Sequence, residues 1–154
     1  MIDVPYIPQT QQNSCGAAAL GMLINYHGIA VSQPELIGML RINEVGYTSK
    51  TAIGHALTTF GLTFKEFSMG GPDGGLLPGN LERMLEQVKM GDPVMVNYIS
   101  DTEGHYGVVV GYDGDHLLIH DPETGPNKRM KIPDFNARWR SENGNWQKWF
   151  LLIF

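Results

Sequence analysis

The chain has 154 residues and a mass of 17.1 kDa, enough for one domain to bury its own core without disulfides or metal staples. Its single cysteine cannot form an internal disulfide, and a net charge of -5 with a pI near 5.4 leaves no basic surface to neutralise phosphates, which argues against nucleic acid as a partner. Met1-Ile-Asp-Val-Pro-Tyr6 lacks a basic region followed by an apolar stretch, and no run approaches the ~18 apolar residues of a membrane span; the expectation is a soluble, cytoplasmic chain without a membrane span.

The polar stretch Gln9 to Ser14 turns directly into Cys15-Gly-Ala-Ala-Ala-Leu20. Asn13 or Ser14 is suited to cap a helix, and Leu20, Leu23, Ile24 and Tyr26 recur at helical spacing before a stop at Gly28. Cys15 then falls in the first turn, where unpaired backbone N–H groups and the helix dipole favour an anion, here the thiolate. The small residues from Gly16 to Ala19 let a second element approach closely and leave the sulfur uncovered. A lone cysteine is ordinarily a small buried hydrophobe, but this setting predicts a nucleophile.

Ser32 caps a second predicted helix, with Pro34 in its first turn and Leu36, Ile37 and Leu40 facing inward. A third is expected from Ser49 or Lys50 to Phe60, stopped by Gly61. Residues 68 to 79 read as a loop, and Asn80 caps a fourth helix through Lys89. The glycine pairs within 70–75 invite a self-cleavage reading, but paired glycines more often supply unusual backbone angles, and Pro72 directly after Gly71 makes a poor leaving side.

After Gly91 the chain becomes rich in β-formers. Pro93 to Tyr98, Tyr106 to Tyr112 and His116 to His120 read as consecutive antiparallel strands, with Lys128 to Ile132 and Trp149 to Phe154 as two more. The apolar ending predicts that the last strand is paired inside the sheet. Helices followed by strands is the α+β pattern, and without internal repeats or linkers the chain reads as a single domain over 1–154.

A thiol nucleophile needs a base beside it and a group to orient that base. His27 and His55 fall on helices, and His116 and His120 can be ordinary strand residues. His105 follows the polar loop Ser100 to Gly104 and opens an apolar strand, at a strand end that can face a cleft. If residues 113 to 115 form a three-residue loop, Tyr112 pairs with His116 and His105 has Asp121 on its diagonal, within side-chain reach. A two-residue loop shifts the register by one and puts them on opposite faces, unless a bulge corrects it. Gln9 offers a neutral amide that can fold back over the helix start to meet an oxyanion, and Gln11 and Gln12 carry the same chemistry.

Val4-Pro-Tyr-Ile-Pro-Gln9, Cys15-Gly-Ala-Ala-Ala-Leu20, Tyr26-His-Gly28, Gly104-His-Tyr-Gly-Val-Val-Val-Gly-Tyr112 and His120-Asp-Pro122 together resemble the bacteriocin-processing, double-glycine cysteine peptidases, a branch of the papain-like enzymes. Phe135, Trp139 and the apolar terminal strand fit the end of such a domain. The resemblance implies a papain-like α+β fold with N-terminal helices packed on a C-terminal antiparallel sheet, no metal and no cofactor. It also implies Cys15 as nucleophile, His105 as general base and acid, Asp121 as orienting carboxylate and Gln9 as oxyanion donor, with a peptide or protein substrate cut after small residues such as Gly-Gly. A deamidase or an acyl transferase would use the same residues, and a non-catalytic peptide-binding module would keep the cleft. A metal site of Cys15, His105, His116 and Asp121 lacks the close ligand pairs that zinc sites show.

Overall fold

The structure, a computed structural model, describes residues 1–69 and 76–154; the glycine pairs of 70–75 lie outside the described residues. Helix α1 (Cys15–Tyr26) begins at the cysteine. Ser14 occupies its N-cap position, but its hydroxyl makes no cap bond: it accepts the Thr10 and Gln11 N–H groups and donates to Gln33 Oε1 at 2.8 Å. The first-turn N–H groups of α1 are thus left open, as helix geometry leaves them when no side chain intervenes. Helix α2 (Gln33–Met39) is capped by Ser32 through the Glu35 N–H. Helix α4 (Lys50–Thr59), after the short α3 (Ile42–Val45), is capped by Ser49, and Gly61 beyond it takes a positive φ of 72°.

Two strands precede the remaining predicted elements, β1 (Phe64–Ser68) and β2 (Leu77–Pro78), followed by α5 (Leu81–Lys89) with Asn80 as its cap. Then come β3 (Val94–Ser100), β4 (Glu103–Asp113), β5 (His116–Asp121), β6 (Gly125–Lys131), α6 (Ile132–Arg138) and β7 (Phe150–Ile153). One sheet holds them in the order β2-β1-β7-β3-β4-β5-β6, antiparallel except for the β1–β2 pair. The last strand lies inside the sheet, between β1 and β3, in keeping with its apolar composition.

The sheet divides the core in two. On one face α1 lays Leu20, Leu23 and Ile24 against Met95, Val108 and Val110. On the other, Met84 and Val88 of α5 and Phe135 and Trp139 at α6 pack on Val94, Tyr98 and Ile119. Helices therefore cover both faces, so the expected arrangement of helices on a sheet is extended by a second layer contributed by α5 and α6. Helix α1 is buried from Gly16 to Ile24, which its small residues allow. An ideal Cβ on Gly16 would lie 2.2 Å from Thr48 Oγ1 and 2.5 Å from Thr48 Cβ. Only glycine lets the loop before α4 press this closely on the residue after Cys15.

The β4–β5 hairpin departs from the expected loop. Asp113 pairs with His116 across a two-residue turn, with Gly114 at φ 60°, in place of Tyr112 pairing with His116. That register continues to Gly111–Leu118 and then slips: Val109 pairs with Ile119 and Val108 with His120. Val110 is the extra residue of a β-bulge, and below it the register is the one that a three-residue loop would have produced.

Candidate active site

Three separate segments converge at one end of the sheet. The amino-terminal strand-like stretch is tied to the end of β5 by Gln9 N–H to Pro122 O at 2.9 Å and Tyr6 hydroxyl to Asp121 O at 2.7 Å, and it delivers the loop that starts α1 at Cys15. The bulge at Val110 brings His105 and Asp121 to the same face, and His105 Nε2 meets Asp121 Oδ1 at 2.8 Å with both side chains buried. That contact leaves Nδ1 as the ring nitrogen for any further partner. Cys15 and His105 line one cleft of about 910 Å³, together with Lys50, Asn97, Tyr106 and Trp146.

Asp121 is held from every side. Its Oδ1 accepts the N–H groups of Glu123 at 2.9 Å and Thr124 at 3.1 Å, and its Oδ2 accepts the Tyr98 hydroxyl at 2.5 Å. Burial alone would raise this carboxyl, but the hydrogen bonds from His105 and Tyr98 hold it well below the usual carboxylate range. Burial likewise pulls His105 towards the neutral form. Its hydrogen bond to Asp121, with the Cys15 thiolate adding to it, pushes it up to about 10. Tyr98 is pushed up by burial and then by the Asp121 charge, so it stays a hydroxyl donor.

Gln9 folds back onto the loop that leads into α1. Its Nε2 donates to the carbonyls of Gln11 and Gln12, both at 3.1 Å, while its Oε1 is buried with no partner among the described residues. It braces the loop ahead of Cys15, and the glutamine that lines the cleft is Gln12. Gln11 is turned away to Asn13 and Asn43. His116 bonds the exposed Asp115. His120 donates from Nε2 to Val4 O at 2.8 Å and accepts the Asn127 N–H at Nδ1, a structural arrangement that needs the neutral ring.

Sequence reasoning passed over Tyr98 and Lys50. Tyr98 is directly opposite His105 in the β3–β4 ladder, a signal available once those strands are paired. Lys50 is the first residue of α4, where a cation opposes the helix dipole, and that local misfit was its signal.

The profile of the Peptidase C39 family matches residues 3–143. Mesentericin-Y105 transport/processing ATP-binding protein MesD of Leuconostoc mesenteroides is 27% identical over 138 residues, which is 88% of this chain and 18% of that protein. The chain thus spans under a fifth of that relative's length. Among solved structures, the peptidase domain of Streptococcus ComA, a bifunctional ABC transporter involved in a quorum-sensing pathway, superposes with a TM-score of 0.73 at 20% identity, covering 96% of each chain. A double glycine motif protease from an AMS/PCAT transporter, in complex with its leader peptide, gives 0.70 at 19% identity, covering 98% of this chain and 91% of that one.

Proposed function

Because the chain belongs to the Peptidase C39 family and is a cysteine peptidase, we propose that Cys15, His105 and Asp121 are its catalytic triad and that it cuts a leader-type peptide after Gly-Gly. Residues 1–154 act as a single domain, in the cytoplasm, where a lone thiol stays reduced. The observation that carries this reading is the buried 2.8 Å pairing of His105 with Asp121 at the mouth of a cleft that also holds Cys15.

In this mechanism Asp121 fixes Nε2–H, so Nδ1 faces the thiol and takes its proton. The thiolate attacks the carbonyl carbon of the scissile amide. The oxyanion that forms is met by an open N–H of the α1 first turn, where the Ser14 side chain does not intrude. Gln9 supplies the second donor by exchanging one of its two loop carbonyls for the oxyanion. The imidazolium then protonates the leaving amine, and water, deprotonated by the same nitrogen, releases the acyl group from sulfur.

The test is cleavage of a fluorogenic peptide carrying Gly-Gly before the reporter. Cys15→Ala and His105→Ala are each expected to abolish turnover, and Gln9→Ala to lower kcat by roughly 10²–10³. Turnover that survives Cys15→Ala overturns the mechanism. If the wild type ignores Gly-Gly peptides but cuts others in a peptide library, the specificity is wrong and the thiol chemistry stands.

A further inference from the structure

Lys50 is the buried charge that this mechanism does not use. The residue is 8% exposed, yet it lines the cleft that holds Cys15 and His105. Its amine donates to Asn97 Oδ1 at 2.9 Å and to the Tyr106 hydroxyl at 3.0 Å. The rings of Tyr106, Trp146 and Trp149 surround it at 5.0–5.1 Å from their centroids.

Two anchors fix the amine tightly. Asn97 cannot turn, because its Nδ2 donates to His105 O at 3.0 Å, and Tyr106 cannot, because its hydroxyl donates to Thr48 O at 3.0 Å. An ammonium has three donors, so one N–H remains, with its direction set by the other two. Among the described residues no carboxylate lies within ion-pair distance of Lys50. Glu66 acts on it only at longer range and is itself engaged by the Trp149 indole N–H at 3.0 Å. Burial pulls Lys50 down to about 7, partly offset by Glu66. A desolvated amine without a counter-ion is costly to charge, and Lys50 lines a cleft that admits a ligand.

We propose that Lys50 forms an anion-binding subsite in the peptide cleft, taking a carboxylate of the bound peptide close to the scissile bond. The proposal rests on the peptidase reading above. The rest of the cleft gives this subsite its contrast: Glu103, Glu123 and Glu142 line the same cleft as exposed carboxylates. The lining therefore combines exposed carboxylates with one buried amine set among aromatic rings. Tyr106, one hydrogen bond from Lys50, lines the same cleft as Cys15, which places the subsite in the cleft of the reacting sulfur. The carboxylate has two sources, an acidic side chain flanking the cut or the new C-terminus of the released amino-terminal fragment.

Binding to the Cys15→Ala protein, followed by fluorescence anisotropy of labelled peptides, separates them without turnover. One arm compares a peptide ending in Gly-Gly as free acid and as carboxamide; the other compares Glu with Gln, one position at a time, on both sides of Gly-Gly in an intact peptide. One of these pairs is expected to favour the carboxylate by roughly 10- to 100-fold, as a charge-assisted hydrogen bond does. Lys50→Arg in the same background keeps the preference and Lys50→Met removes it. Lys50→Met also strips a donor from Asn97 and Tyr106, so Lys50→Gln, which retains a neutral donor, is measured beside it and loses the preference too. The inference is overturned if no pair discriminates, or if the preference survives both neutral variants, which would assign it to His105. Cleavage by the wild type reports separately on the peptidase reading, which this result leaves untouched.

Discussion

Replacing Asp121 by Asn keeps the volume and the acceptor while removing the charge. With its oxygen in the Oδ1 position the amide still accepts from His105 and from the N–H groups of Glu123 and Thr124, and its NH2 lies against the Tyr98 hydroxyl, which can accept. The loss is then electrostatic. The rise of His105 from 6.5 to about 10 corresponds to ~5 kcal/mol of preference for the imidazolium. Asp121 and Cys15 share it, so Asp121→Asn forfeits ~2–3 kcal/mol, roughly a 30- to 150-fold fall in the equilibrium constant for holding the ring protonated. The assay is the rate of iodoacetamide alkylation of Cys15 against pH, with kcat/KM on the Gly-Gly peptide beside it. The alkylation midpoint is expected to move to higher pH and kcat/KM to fall, while Asp121→Ala, which also removes the acceptor, falls further. Stability gives an independent reading: because the folded value of His105 is raised, its contribution is complete below about pH 6.5 and is lost as pH rises through about 10. Asp121→Asn flattens that alkaline decline. An alkylation profile that does not move, in a variant with wild-type circular dichroism, would falsify the coupling of Asp121 to the imidazole.

Deleting Val110 removes the extra residue of the bulge while leaving Gly111 opposite Leu118 and Val109 opposite Ile119, so with the two-residue turn intact His105 and Asp121 stay on one face; the expected result is a folded protein by far-UV circular dichroism that keeps its peptide cleavage, and loss of cleavage in that folded variant refutes the register argument. Gly16→Ala places a methyl group within 2.6 Å of three Thr48 atoms, which is expected to cost ~1–3 kcal/mol in urea unfolding and to slow Cys15 alkylation by displacing the loop; an unchanged midpoint would show that Thr48 yields freely. His120 is lowered by burial, with Val4 O opposing, so its contribution to stability is complete above about pH 6.5 and is lost as pH falls through that value. His27, also lowered by burial, titrates in the same range, so the reading is the difference between wild type and His120→Gln in thermal unfolding from pH 7 to pH 5. His120→Gln should show the shallower decline, and parallel curves would remove His120 from the account.

The elements legible in the sequence were those with a local cause. Ser32, Ser49 and Asn80 each cap the helix expected of them, because a cap is a bond between residues three apart. Helix α3 had no such signal: its N-cap, Arg41, has a left-handed backbone and no cap bond. Strands β1 and β2 are five and two residues long, and the β1–β2 pair forms across a separation that composition does not record. The cysteine at the start of α1 was likewise a local reading, since dipole and open N–H groups belong to one turn of helix.

What tertiary structure decided was the company that Cys15 keeps. His105 and Asp121 were named from their order along the chain, but whether they touch depends on a single bulged valine inside the run Val108-Val-Val110, where nothing local distinguishes the bulged residue from its neighbours. Tyr98 joined them through strand pairing, and Lys50 through its hydrogen bonds to Asn97 of β3 and Tyr106 of β4. Gln9, chemically suited to meet an oxyanion, is held beside α1 by the carbonyls of Gln11 and Gln12. Residue type and short-range spacing fix which chemistry is available to a chain. Which of those groups meet is set by the summed packing of segments far apart in sequence, and in a strand a one-residue slip reverses the face of every side chain.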